Sequence, residues 1–242
     1  MSIPVLEIFG PTIQGEGMAA GRKTMFVRTA GCDYRCSWCD SAFTWDGSAK
    51  DEIVPMSADT IVERVFEIGG DCFDHVTISG GNPALLESIG ELVTKLNERG
   101  IQTALETQGS KWQPWFTSID DLTISPKPPS SNMETDYTML EEIVEKLTEA
   151  ERVPHHVSLK VVVFNDEDFQ YAVDIHQRYQ TIPFFLQVGN DDLQCEQDGE
   201  LALHLLKRYE WLVNKTIETK EMNDVRVLPQ LHALLWGNKR GV

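Results

Sequence analysis

Residues 24–40 read TMFVRTAGCDYRCSWCD, and this stretch decides how the rest of the chain is read. Its first part, TMFVRT at 24–29, is short and rich in β-branched and aromatic residues, which predicts a strand. Ala30 and Gly31 break the pattern, and Cys32, Cys36 and Cys39 follow on one short loop. Working outward, similar strand patterns occur at 75–79 (HVTIS), 101–106 (IQTALE), 122–125 (LTIS), 157–163 (VSLKVVV), 184–188 (FFLQV) and 225–228 (VRVL). Helical patterns lie between them. Ser57 is placed to cap a helix whose Ile61, Val65 and Ile68 recur at helical spacing. Residues 85–99 read as a helix stopped by Gly100, and further helices are expected near 137–149, 166–179 and 200–215.

Strands alternating with helices predict parallel pairing through right-handed crossovers. About six such units are too few for a closed eight-stranded barrel. The expectation is therefore an α/β fold, a partial open barrel of about six parallel strands, built as a single domain over residues 1–242. In such folds functional residues gather at the carboxyl ends of strands. Cys32 follows the first strand pattern, Gly80 and Gly81 the second, Thr107 the third, Pro126 and Lys127 the fourth, and Gln187 to Asn190 end the sixth.

Composition narrows the class. A chain of 242 residues with 41% hydrophobic content suits one compact domain. No apolar run approaches the roughly 18 residues of a membrane span. The start, MSIPVLEIFGP, lacks the basic and apolar regions of a secretory signal. A net charge of −17 repels phosphate backbones and argues against nucleic-acid binding. Five cysteines, an odd number without a signal, argue against a secreted disulfide scaffold and for a reducing cytoplasm.

Thiolates are soft ligands that suit iron–sulfur clusters or zinc. Three on one loop hold three irons of a cubane and leave the fourth iron open. A structural zinc site normally needs a fourth close ligand, yet the next candidates are Cys72 and His75. The iron–sulfur reading is preferred, with zinc and chance clustering as alternatives. The C-x3-C-x2-C spacing, with Trp38 before the third Cys, resembles the signature of the radical S-adenosylmethionine (SAM) superfamily. Residues 79–83, SGGNP, resemble that superfamily's Gly-Gly-Glu-Pro segment, with Asn82 where Glu is usual. Alone, such a Gly-Gly turn is only a tight turn. The resemblance implies a [4Fe–4S] cluster on Cys32, Cys36 and Cys39, with SAM on the open iron as the source of an adenosyl radical.

Further stretches narrow the resemblance. Residues 7–17 (EIFGPTIQGEG), 26–28 (FVR), 106–109 (ETQG), 125–128 (SPKP) and 229–232 (PQLH) resemble the 7-carboxy-7-deazaguanine synthases. That resemblance implies conversion of 6-carboxy-5,6,7,8-tetrahydropterin to 7-carboxy-7-deazaguanine with loss of ammonia, in queuosine and deazapurine biosynthesis. It also implies Mg²⁺, a homodimer, and an electron donor such as flavodoxin or ferredoxin. For SAM it points to Trp38, Cys39, Asp40, Gly81, Ser125, Pro126, Lys127, Gln187, Val188, Gly189 and Asn190. For Mg²⁺ it points to Ser41, at a position usually held by Thr. For substrate it points to Ile13, Gln14, Gly15, Glu16, Arg28, Ser79, His232 and Val242.

The residue types suit those roles. An amide and a carboxylate, Gln14 and Glu16, can pair with a pterin edge. Arg28 can fork onto a carboxylate or carbonyl. Without the family, Gln14 and Glu16 read as a polar turn, Arg28 as a surface ion pair, Ser41 as a loop serine and Lys127 as a surface lysine. Glu106, at a strand end, is placed to reach a ribose hydroxyl. Cys72, Cys195, Trp112, Trp115 and Trp236 read as structural. The tail at 236–242 either frays or is anchored by Leu231, Leu234, Leu235 and Trp236. The rival enzyme reading is an activase of glycyl-radical enzymes, which shares the cysteine spacing but needs a docking surface for a large partner. A zinc or scaffold module is the non-enzymatic rival.

Overall fold

The computed structural model describes residues 2–242. Nine strands form one sheet: β1 (Ile3–Ile13), β2 (Lys23–Thr29), β3 (Val54–Met56), β4 (His75–Gly80), β5 (Gln102–Thr107), β6 (Asp121–Ile124), β7 (Val157–Val163), β8 (Phe184–Val188) and β9 (Arg226–Leu228). Their order is β3-β1-β2-β4-β5-β6-β7-β8-β9. From β2 to β9 every neighbouring pair is parallel, so all seven strand patterns read from the sequence join one parallel array. The sheet stays open, with β3 at one edge and β9 at the other. This is the expected partial barrel.

Two strands were not expected. β1 runs antiparallel to both β2 and β3. Its signal is weak because Gly10 and Pro11 interrupt the alternation, and the β1–β2 register shifts between Phe9 and Thr12 at that point. β3 has only three residues and contains Pro55, which an edge strand tolerates.

Six helices accompany the sheet: α1 (Ala58–Gly69), α2 (Ile89–Glu98), α3 (Tyr137–Glu149), α4 (Asp166–Arg178), α5 (Asp198–Glu218) and α6 (Leu231–Trp236). Side chains set several of their starts. Ser57 Oγ accepts from the Thr60 amide at 3.1 Å, Asp136 from Met139 at 3.0 Å, and Asn165 from Asp168 at 2.9 Å. The expected helix at 85–99 begins later, at Ile89. Pro83 and the Asn82 side chain, which accepts from the Ala84 amide, wind residues 83–85 into a separate 3₁₀ turn.

The two faces of the sheet divide the labour. On β7, Leu159, Val161 and Val163 are fully buried in the main core, which also holds Ile78, Leu105, Leu122 and Ile124. Each such side chain contributes on the order of 1.5–3 kcal/mol. The alternate residues Lys160 and Val162 line a cavity instead. No helix among the described residues is long and apolar enough to cross a membrane.

Candidate active site

At the carboxyl ends of the parallel strands lies a cavity of about 320 Å³. Cys32, Cys36 and Cys39 form part of its wall. Their loop is clamped on two sides. On one side the backbone bonds to the turn after β4: Gly81 N–H donates to Thr29 O at 3.1 Å and Asn82 N–H to Gly31 O at 2.8 Å. A Cβ at Gly81 would lie 2.1 Å from Gly31 O, so only glycine permits this approach. On the other side the loop bonds to the segment after β6. Ser37 N–H donates to Ser131 O at 3.0 Å, Ser37 Oγ to Ser130 O at 2.6 Å, and Trp38 Nε1 to Ser130 Oγ at 2.9 Å.

Asn82 lies behind this wall and is almost fully buried. Its amide donates to Asp33 at 3.0 Å and Ser110 at 2.9 Å, and its oxygen accepts from Thr107 at 2.8 Å. It braces the cysteine loop and is not part of the cavity wall. Gln108 Nε2 donates to Asp33 at 2.6 Å and reaches Cys32 Sγ at 3.7 Å, while Trp45 Nε1 donates to Cys39 Sγ at 3.5 Å. Burial pushes all three thiols up, Cys39 to about 11 with help from the Asp40 charge.

Of the residues expected to hold SAM, Trp38, Cys39, Asp40, Gly81, Ser125, Lys127 and Asn190 line the cavity. Lys127 Nζ donates to Ser125 Oγ at 3.2 Å and lies 5.9 Å from the Trp38 ring centre. Pro126, Gln187, Val188 and Gly189 are not on the cavity wall. Gln187 is buried and its amide donates to Pro229 O at 2.7 Å, which holds β8 to the chain entering α6. Gly189 makes room for Phe164, whose ring would come within 2.1 Å of a Cβ there. Phe164 in turn lies 4.9 Å from Trp38, so this glycine supports the wall indirectly.

The residues expected to hold substrate form the other part of the cavity: Ile13, Gln14, Gly15, Glu16, Arg28, Ser79, His232 and Val242 all line it. Gln14 Oε1 is turned back onto its own turn, accepting from the amides of Gly15 at 2.7 Å and Glu16 at 3.3 Å. Arg28 pairs with Glu7 at 2.9 Å, with the Phe9 and Phe43 rings 5.2 and 5.3 Å from its guanidinium carbon. Glu16 takes a hydrogen bond from Lys160 at 2.5 Å and another from Gln230 at 2.8 Å, with His232 at 3.9 Å. Glu106 does not stand alone at its strand end, because Lys160 also reaches it at 3.3 Å. Donor atoms of Glu16, Asp40 and His232 lie within 4.8 Å of one another. Both Glu16 oxygens are already engaged by Lys160 and Gln230, so these three are read as polar lining and not as an ion site. Ser41 also lines the cavity, and its hydroxyl donates to Asp40 at 3.0 Å.

The tail is anchored at Asn238 and at Arg240. Asn238 accepts from Asn190 at 2.8 Å and donates to the carbonyls of Asp192 and Cys195, each at 3.0 Å. Arg240 bonds to Glu7 and, at 2.7 Å, to Glu52, with Phe43 4.2 Å away.

Comparison with known proteins agrees with this geometry. Residues 26–190 match the model of the radical SAM superfamily. The chain is 63% identical over 240 residues to a 7-carboxy-7-deazaguanine synthase of Bacillus cereus, covering 99% of each chain. It is 64% identical to that of Bacillus subtilis, covering 99% of this chain and 98% of the relative. This chain belongs to the 7-carboxy-7-deazaguanine synthase family. A crystal structure of QueE from Escherichia coli has the same fold, with a TM-score of 0.69, 21% identity, and 95% and 94% of the two chains covered.

Membership of this synthase family, within the radical SAM superfamily, implies a [4Fe–4S] cluster and SAM. The donor set fits. Three thiols with no fourth cysteine nearby face one cavity, and two of their sulfurs lie near N–H donors of Gln108 and Trp45. Sequence reasoning missed Lys160, Gln230, Asp33 and Arg240. Lys160 had a visible signal, a lone charge inside the apolar run VSLKVVV.

Replacing Cys32, Cys36 or Cys39 with Ala is expected to abolish bound iron and SAM cleavage. Replacing the exposed Cys72, or Cys195, should leave both intact. Iron assay and visible absorption after anaerobic purification check this; a fully active Cys36→Ala protein overturns it.

Proposed function

We propose that this chain converts 6-carboxy-5,6,7,8-tetrahydropterin to 7-carboxy-7-deazaguanine and ammonia, a step of queuosine biosynthesis. The observation that carries the reading is one cavity with a three-thiol wall and a polar floor of Glu16, Lys160, Gln230 and His232. When bound, the cluster and SAM supply a radical that removes and later returns one substrate hydrogen. The residues do the rest. Glu16 offers a carboxylate to the N–H donors of the pterin edge. Arg28 offers a guanidinium already oriented by Glu7 and two rings, suited to a substrate carboxylate or carbonyl. Trp38, Phe164 and the tail limit water around the reacting carbon. Turnover of the carboxypterin under anaerobic conditions with SAM and dithionite tests this directly. Release of 7-carboxy-7-deazaguanine with ammonia is expected; SAM cleavage without that product would refute it.

In this reading the Ser41 hydroxyl would supply an oxygen to a Mg²⁺ ion, which would offset the negative charge of the substrate carboxylate. Support comes from the position of Ser41 on the cavity wall, directly after the cysteine loop. Ser41→Ala should slow turnover and blunt its response to added Mg²⁺ while keeping the iron content. Ser41→Thr should be well tolerated. An alanine variant with parental activity and an unchanged Mg²⁺ titration removes Ser41 as a ligand.

The tail belongs to the substrate side of the cavity in the same reading. Gly241 and Val242 line it, with Arg240 as their anchor. Deleting Gly241 and Val242 should raise KM about 10- to 100-fold if polar contacts to substrate are lost from a water-poor pocket. Iron content should stay near normal. Equal KM values for the parent and shortened proteins would place Val242 outside the binding site.

A further inference from the structure

We propose that Lys160 is a positioning residue for the substrate: its ammonium, buried beneath the cavity between Glu16 and Glu106, holds the Glu16 carboxylate ionised and in one orientation toward the donors of the bound heterocycle. The inference rests on the reading of Glu16 as the acceptor for the pterin edge.

Lys160 sits mid-strand on β7, and its side chain is only 4% exposed. It donates to Glu16 Oε2 at 2.5 Å and to Glu106 Oε1 at 3.3 Å. Gln230 Nε2 fixes the other Glu16 oxygen at 2.8 Å. Two carboxylates and one ammonium leave a net charge of −1 under the cavity. A carboxylate accepts about four hydrogen bonds, so Glu16 keeps capacity for a ligand presenting N–H donors.

A purely structural role fits poorly. A buried ion pair is a weak device for stability, and apolar residues of similar volume often serve as well or better. Apolar side chains already occupy the neighbouring inward position, Val162, and the core-facing positions of the same strand. Here the ionic group lines the cavity, as Glu16, Glu106 and Lys160 all do.

Charge bookkeeping gives the same direction. Burial would raise the Glu16 pKa, but the Lys160 charge, the nearby His232 and hydrogen bonds from Lys160 and Gln230 hold it down at about 2. Burial also works against the Lys160 ammonium, and the charges of Glu106 and Glu16 more than offset it. Burial raises Glu106, which the Glu16 charge reinforces and Lys160 opposes. Remove Lys160, and two carboxylates face one another with burial raising both. Burial and mutual repulsion then favour protonation of one of them, and a protonated Glu16 loses acceptor capacity.

The charged and titratable groups around Glu16 are Lys160 from β7, Glu106 from β5, His232 from α6 and Asp40 from the cysteine loop, with Lys127 after β6 acting on Glu106. In the parent, Glu16 stays ionised throughout pH 6–8. Its protonation in a Lys160→Met variant weakens substrate binding as pH falls. The ratio of variant to parent KM, taken at each pH, isolates the Lys160 effect from the pH response of the other groups in the cavity.

The test uses cluster-loaded protein and the carboxypterin as probe. Lys160→Met should raise KM about 10- to 100-fold, with kcat changing less. The ratio to the parent KM should grow from pH 8 to pH 6, and Lys160→Arg should recover most of the loss. Iron content and SAM affinity report folding. If the single variant loses iron, the charge-balanced Lys160→Met/Glu106→Leu protein decides, because Glu16 has lost its partner there as well. A parental KM in a folded Lys160→Met or double variant, beside a raised KM in Glu16→Gln, overturns the role of Lys160 alone. A parental KM in Glu16→Gln overturns the substrate reading and the proposal with it.

Discussion

No side chain fits between residues 31 and 81. Gly81 packs its backbone against the Gly31 carbonyl so closely that one added carbon would overlap it. This contact joins the loop that carries the three thiols to the turn that follows β4. With the two backbones bonded, the loop holds its three cysteines on the wall of the cavity at the carboxyl ends of the parallel strands. Asn82 extends the joint by a further layer, linking Asp33, Ser110 and Thr107 in one buried network. Backbone bonds and buried amides thus brace the loop that carries the thiols, the kind of support that a precise ligand site needs.

Charge is distributed with the same economy. The chain is strongly acidic, yet Arg28, Lys127, Lys160 and Arg240 all line the cavity. Three of them pair with carboxylates: Arg28 and Arg240 share Glu7, and Lys160 bridges Glu16 and Glu106. In a poorly solvated cavity such pairs interact more strongly than at the surface. Their main effect is to fix the direction in which each charge points.

Much of this was readable from residue order. The parallel strands announced themselves through compact β-branched runs, and the cysteine spacing located the wall of the site. Gly81, Ser125, Lys127 and Glu16 fell at strand ends or on the turn after β1, where they line one cavity. What was not legible depends on contacts between distant parts of the chain. The Glu16–Lys160 pair spans 144 positions and the Arg240–Glu7 pair spans 233, and no local pattern encodes either. β1 escaped because Gly10 and Pro11 break its alternation, although β2 and β3 supply its partners. Gln187 was readable as a strand-end residue, but only the packed structure shows its amide turned to Pro229.

Trp45 carries a consequence of a different kind. Its indole N–H touches Cys39 Sγ at 3.5 Å, and Trp38 lies on the same loop between the second and third thiols. An iron–sulfur chromophore held by those thiols absorbs where indoles emit. Both rings would then be darkened further by energy transfer at contact range. The chain thus contains its own optical gauge of occupancy, legible in intrinsic fluorescence without a label.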